Sequence, residues 1–151
     1  MGQVIPVSVL FSEAVTVTGT PQITLETGSS DAVVDYSSGS GTPTIIFNYT
    51  VASGHTSSDL DYVSTSALAL NGGTIKDAAG NTSIITLVTP GNTTSLGGHK
   101  GFIIDTAPAT VTSVASAATD GTSYKVGDTV TLTVNFSETV TVTGTPQLTL
   151  E

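Results

Sequence analysis

The chain has 151 residues, no cysteine, and 12 carboxylates against only Lys76, Lys100 and Lys125, for a net charge of -9. This excludes a disulfide framework and sulfur-ligated metal. It also argues against nucleic acid and anionic membrane surfaces as partners, since both need clustered cations.

No apolar run approaches the roughly 20 residues of a membrane span, so no direct membrane insertion is expected. No basic-then-apolar signal opens the chain either, so an export signal is expected elsewhere in a longer parent. Thr (29) and Ser (18) are abundant, and Trp is absent. β-Branched Thr and Val lose rotamer freedom in a helix and pack well on a pleated surface, so the composition favours strands.

In chain order, Val7, Val9 and Phe11 line one face of a first strand by period-two alternation. The threonine run Val15–Thr20 invites an ice-binding reading, but such surfaces need many aligned threonines, and ordinary strand alternation accounts for it. Ile23 and Leu25 mark a further strand, and Val33–Tyr36 another after a turn at Gly28–Asp31. Thr44–Val51 (TIIFNYTV) follows the turn Gly39–Pro43 and places Ile45, Phe47, Tyr49 and Val51 on one face, making it the best core strand. Further strands are expected at Ser64–Leu70, Ile84–Val88 and Gly101–Ile104, with a turn at Asn71–Gly73. Short strands separated by turn chemistry, with no helical stretch for crossovers, predict an all-β, immunoglobulin-like two-sheet β-sandwich. A small barrel is the alternative.

Self-comparison gives the strongest signal. Phe11–Glu26 reads FSEAVTVTGTPQITLE and Phe136–Glu151 reads FSETVTVTGTPQLTLE, differing only at Ala14/Thr139 and Ile23/Leu148. The pairing continues upstream more loosely, through Val9/Val134 and Val7/Leu132 to Gly2/Gly127, so residues 126–151 copy residues 1–26. A period of about 125 residues suits one bead-like domain per copy in a tandem array. Asp105–Pro108 (DTAP) is the expected joint between beads. On that register residues 1–106 form a sandwich repeat lacking its own first strand, and residues 107–151 carry the first strands of the following repeat. Thr110–Ser116 represents the strand that the first copy lacks. The 110–151 segment is expected to complement a sandwich. It could fold back as a circular permutant or join a second molecule head to tail in a fibre; the remaining possibility is an incomplete module.

With FSExVTVTGTPQxTLE, ALALNGGTIKDAAGN and the IDTAP joint all present, the chain resembles the tandem bacterial immunoglobulin-like repeats of very large surface and secreted proteins. These include adhesins and the repeat named for a cyanobacterial swimming protein. The resemblance covers essentially the whole chain. It implies an extracellular, cell-surface stalk or spacer, often stiffened by calcium, with ligand binding carried by other domains. Neighbouring copies of the same repeat are then the expected partners. A carbohydrate- or protein-binding module using the loops at a sandwich end is the runner-up, and an exposed aromatic cluster there would favour it.

Catalytic signatures are sparse. His55 and His99, both in expected loops, have no metal-ligand spacing, and the glycine-rich stretches Ser38–Gly41 and Gly97–Gly101 fall between strands, where tight turns explain them. Asp59 and Asp61 could form a glycosidase pair, but the few Phe and Tyr residues fall mostly in core-like alternation. Lys76 beside Asp77 resembles an isopeptide pair in residue type only. No enzymatic role is expected. Calcium is the better chemical expectation, since it takes several oxygens from carboxylates, amides and carbonyls in turns. The candidate ligands are Asp77 and Asn81 in KDAAGN, Asp59 and Asp61 in SSDLDY, Asp105 at the joint, and Asp120 and Asp128 around Tyr124. Glu13 and its repeat partner Glu138 complete the set, at expected strand ends.

Overall fold

In a computed structural model describing residues 2–151, the alternation around Phe47 becomes the central strand of the fold. The chain divides into two units, one ending at Ala107 and the other spanning Pro108–Glu151.

The first unit contains β1 (Val4–Thr18), β2 (Gln22–Leu25), β3 (Ala32–Ser38), β4 (Thr42–Thr50), β5 (Leu68–Ala69), β6 (Thr74–Asp77) and one helical turn, α1 (Leu96–His99). Its ladder runs β5-β2-β3-β4-β1-β6, and every pairing is antiparallel. Two strands make the ladder curl into two layers. The start of β3 (Ala32–Asp35) pairs with β2, and its end (Tyr36 and Ser38) pairs with β4. β1 pairs with β4 from Val4 to Leu10 and, after an irregularity, again at Val15, and from Val15 to Thr18 it carries β6 on its other edge. A strand that changes sheets along its length, as β3 does, makes a corner of a sandwich, and an irregularity such as that in β1 adds to the bend.

The core follows from alternation. Ile5, Val7 and Val9 on β1 lie opposite Tyr49, Phe47 and Ile45 on β4, and all but the half-buried Val9 are buried. They join Ile23 and Leu25 of β2 and Ile75 of β6 in one cluster, so the two layers share a single core. Burying each such aliphatic or aromatic side chain contributes about 1.5–3 kcal/mol. Tyr36 meets Phe47 edge-on at 6.3 Å. The hairpin before β4 depends on Gly39, whose φ is +104° and where a Cβ would stand 2.1 Å from the Thr44 carbonyl. Between β5 and β6 the chain turns at Asn71 and Gly72, both at positive φ, the geometry that Asn-Gly favours.

Some expected strands are reduced. Of Ser64–Leu70 only Leu68–Ala69 pairs in a ladder. Ile84–Val88 forms no ladder, with Ile85 and Leu87 packed on the core and Ile84 exposed. Gly101–Ile104 contributes one bridge, Ile104 to Ser57. In 84–88 and 101–104 alternate residues do pack inward, whereas in 64–70 the adjacent Ala67 and Leu68 are both buried. The backbone hydrogen bonds here are isolated ones, such as Leu87 N–H to the Thr65 carbonyl and Leu60 N–H to the Phe102 carbonyl. The glycine-rich Gly97–Gly101 stretch, expected as a tight turn, instead contributes to α1. No helix among the described residues is long and apolar enough to cross a membrane.

The second unit contains β7 (Val111–Ser116) and β8 (Leu132–Phe136), an antiparallel pair in which every residue is exposed.

Candidate functional site

The candidate ligands fall at separate places. Asp61 is the buried one, at 8% exposure. Its carboxylate accepts hydrogen bonds from Ser95 Oγ at 2.6 Å, from Gly91 N–H at 2.9 Å and from Tyr62 N–H at 2.9 Å. Burial pushes this carboxyl up, but the bonds from Ser95, Gly91, Tyr62 and Gly97 outweigh it and hold it below the usual carboxylate range. Ser95 is also the N-cap of α1, accepting from Gly98 N–H at 3.1 Å. Asp61 therefore ties the 88–98 loop to the core. The neighbouring Tyr62 reinforces this by donating to the Val88 carbonyl at 2.7 Å. Asp59 is exposed, and a Cβ at Gly97 would lie 3.4 Å from its Oδ2 and 3.0 Å from that of Asp61, so both carboxylates face that glycine.

Asp77, the last residue of β6, closes the KDAAGN loop. Asn81 donates to it twice, from its backbone N–H and from Nδ2, each at 2.8 Å. Those bonds hold Asp77 below its ordinary value, the side-chain bond contributing most. Glu13 sits in the interruption of β1 rather than at a strand end, and lines a groove of about 350 Å³ with Asp77, Asn81, Phe11 and Ile84. Asp105 accepts from Ala107 N–H at 3.0 Å, and Asp128 accepts from Lys125 N–H at 2.9 Å, each closing a turn. Asp120 and Glu138 are exposed. Among the described residues no group of three or more His, Asp or Glu converges as a metal site. The most engaged carboxylates, Asp61 and Asp77, already accept the chain's own donors.

His99 is an exposed residue, as expected, whereas His55 is half-buried. Its ring stacks on Tyr49 at 5.7 Å, with Nδ1 2.9 Å from the Tyr49 hydroxyl, which burial holds above its ordinary range. That contact was not legible in the sequence, because a histidine six residues after a core tyrosine carries no pattern of its own.

The remaining distinctive feature is an edge. β1 pairs with β4 along Val4–Leu10, and among the described residues no strand is hydrogen-bonded to its other side there. Two shallow gaps flank this stretch: the groove beside Phe11, and a gap of about 200 Å³ beside Gln3, Ile5 and Phe102. In the first unit all six Phe and Tyr residues are buried or half-buried, so no exposed aromatic platform is present there.

The fold and these features define an all-β sandwich with acidic loops. No protein-family model, curated protein or solved structure matches the chain.

Proposed function

We propose that the chain is a structural spacer repeat of a large bacterial extracellular or cell-surface protein, strung with like beads and able to associate with neighbouring copies by strand complementation. The observation that carries this reading is the near-identity of Phe11–Glu26 and Phe136–Glu151 at the spacing of one domain. The first unit's exterior, acidic and without an exposed aromatic, favours a spacer over the carbohydrate- or protein-binding alternative, which would use a stacking surface. Expression of one, two and three tandem periods followed by small-angle scattering tests it. A spacer adds a fixed length per period, whereas collapse to a globule of unchanged aspect ratio would sink the reading.

Calcium stiffening is a second reading, favoured by the approach of Asp59 and Asp61 to the same glycine. A bound ion would raise the melting temperature by mass action. Equal melting with calcium and with chelator would remove it.

A further inference from the structure

The hairpin of the second unit displays, on a copy of β1, a strand for the edge that no strand among the described residues of the first unit occupies. β8 corresponds to Val7–Phe11 at the repeat offset, and it pairs with β7 through Leu132/Ser116, Thr133/Ala115, Val134/Val114, Asn135/Ser113 and Phe136/Val111.

Hydrogen-bond parity places β7 on the edge of β1 opposite β4. In an antiparallel ladder the peptide groups of alternate residues point to alternate neighbours. Gln3 accepts from Val51 N–H, so the odd residues Ile5, Val7 and Val9 address β4. In the hairpin, Ser137 N–H donates to the Thr110 carbonyl, and Ser137 corresponds to the even residue Ser12. Ser8 and Leu10 therefore address the unpaired edge. Transferred onto β1, the ladder begins at Val7 and stops short of Pro6, which has no N–H to offer that edge. The resulting order β7-β1-β4-β3 is that of the A-B-E-D sheet of an immunoglobulin sandwich.

Side chains agree with this register. Residues directly opposite share a face, so Val114 and Val111, 52% and 57% exposed in the hairpin, would lie beside Val9 and Phe11 on the core side. The groove beside Phe11 would lie at the Val111 end of the added strand. β7 gives up little by leaving β8, since both strands are exposed throughout and a two-stranded hairpin is marginal alone in water.

We infer that the Val7–Phe11 edge of β1 is a strand-acceptor site, and that its occupant is the Val111–Ser116 strand of a second copy of this chain, with Ser116 opposite Val7, Val114 opposite Val9 and Val111 opposite Phe11. This rests on the repeat reading above and specifies its partner and register.

The chain has no cysteine, so a disulfide can report the pairing. Ser8 and Ala115 are both exposed and would stand opposite each other, within the Cα separation a disulfide bridges. Full-length Ser8→Cys and Ala115→Cys chains, each first shown to melt like the parent, are mixed and oxidised. The expected result is a mixed disulfide whose yield rises with concentration and exceeds by about tenfold that with Ser113→Cys, one same-face position out of register. Equal yields from the two partners, or no mixed product, overturn the inference. So does a doubly substituted chain that closes on itself at high dilution, which would make the occupant its own β7. All three failures leave the spacer reading standing, because its scattering test depends on length per tandem period. Tandems that collapse while the mixed disulfide forms would sink the spacer alone.

Discussion

Leu25 and Leu150 end two segments that are nearly the same sequence, yet Leu25 is 0% exposed and Leu150 is 67% exposed. The same contrast separates Ile23 from Leu148 and Val7 from Leu132. What differs is the company each segment keeps. The first copy is followed by β3, β4 and β6, which supply the facing layer and a shared core. The second forms only the β7–β8 pair. Alternation thus specifies which face of a strand can be buried, and the rest of the domain determines whether it is.

Matched substitutions break this comparison most sharply. Leu25→Ala should cost about 2–5 kcal/mol in denaturant unfolding of the first unit, whereas Leu150→Ala should change it by less than about 0.5 kcal/mol. Comparable losses would mean that the second copy is packed like the first. Gly39→Ala should cost about 1–3 kcal/mol through strain at positive φ and the approach to the Thr44 carbonyl, read as a lowered denaturation midpoint. Gly144, one of two positive-φ glycines of the second copy, meets nothing within 4 Å, so Gly144→Ala should be milder by the same measurement.

Asp61→Ala leaves Ser95, Gly91 and Tyr62 donors without their acceptor and should cost about 1–3 kcal/mol. Thermal melts would read this, with earlier proteolysis in the 88–98 loop. The pH dependence has a definite sign. Asp61 and Asp77 are both held below their ordinary value near 3.8, so their contribution is full above that value and is lost as the pH falls through their lower folded values. Acid titration of stability should therefore show a decline on the acid side of that value, shallower in Asp61→Asn. The smallest expected effect is at Asp77, which is solvent-accessible: Asp77→Ala should loosen hydrogen-exchange protection at Gly80 and Asn81 and leave the core strands unaffected.

The central strand was legible because Ile45, Phe47 and Tyr49 alternate without interruption between turn residues, and the repeat was legible as plain identity. The joint was expected after residue 106, and the two units part after Ala107. The limits of β5 and of the 84–88 and 101–104 segments were not legible. Alternation reports burial of one face, and the 84–88 and 101–104 segments bury a face while forming isolated backbone bonds instead of ladders. β6 went unmarked because Thr74–Asp77 has one buried apolar residue, Ile75, and its strand state comes from pairing with Val15–Thr18. Among the acids, chemistry marked Asp61 and Asp77 as oxygen donors. Their role as acceptors that pin loops needed the positions of Ser95 and Asn81, which only the folded chain supplies.

The sharing of β3 between the two layers has a mechanical corollary. Because one continuous segment is sewn into both, neither layer can be peeled away while the other stays intact. Heating should therefore dismantle the first 107 residues in one step, with the signals of Tyr36 and Tyr62 vanishing together.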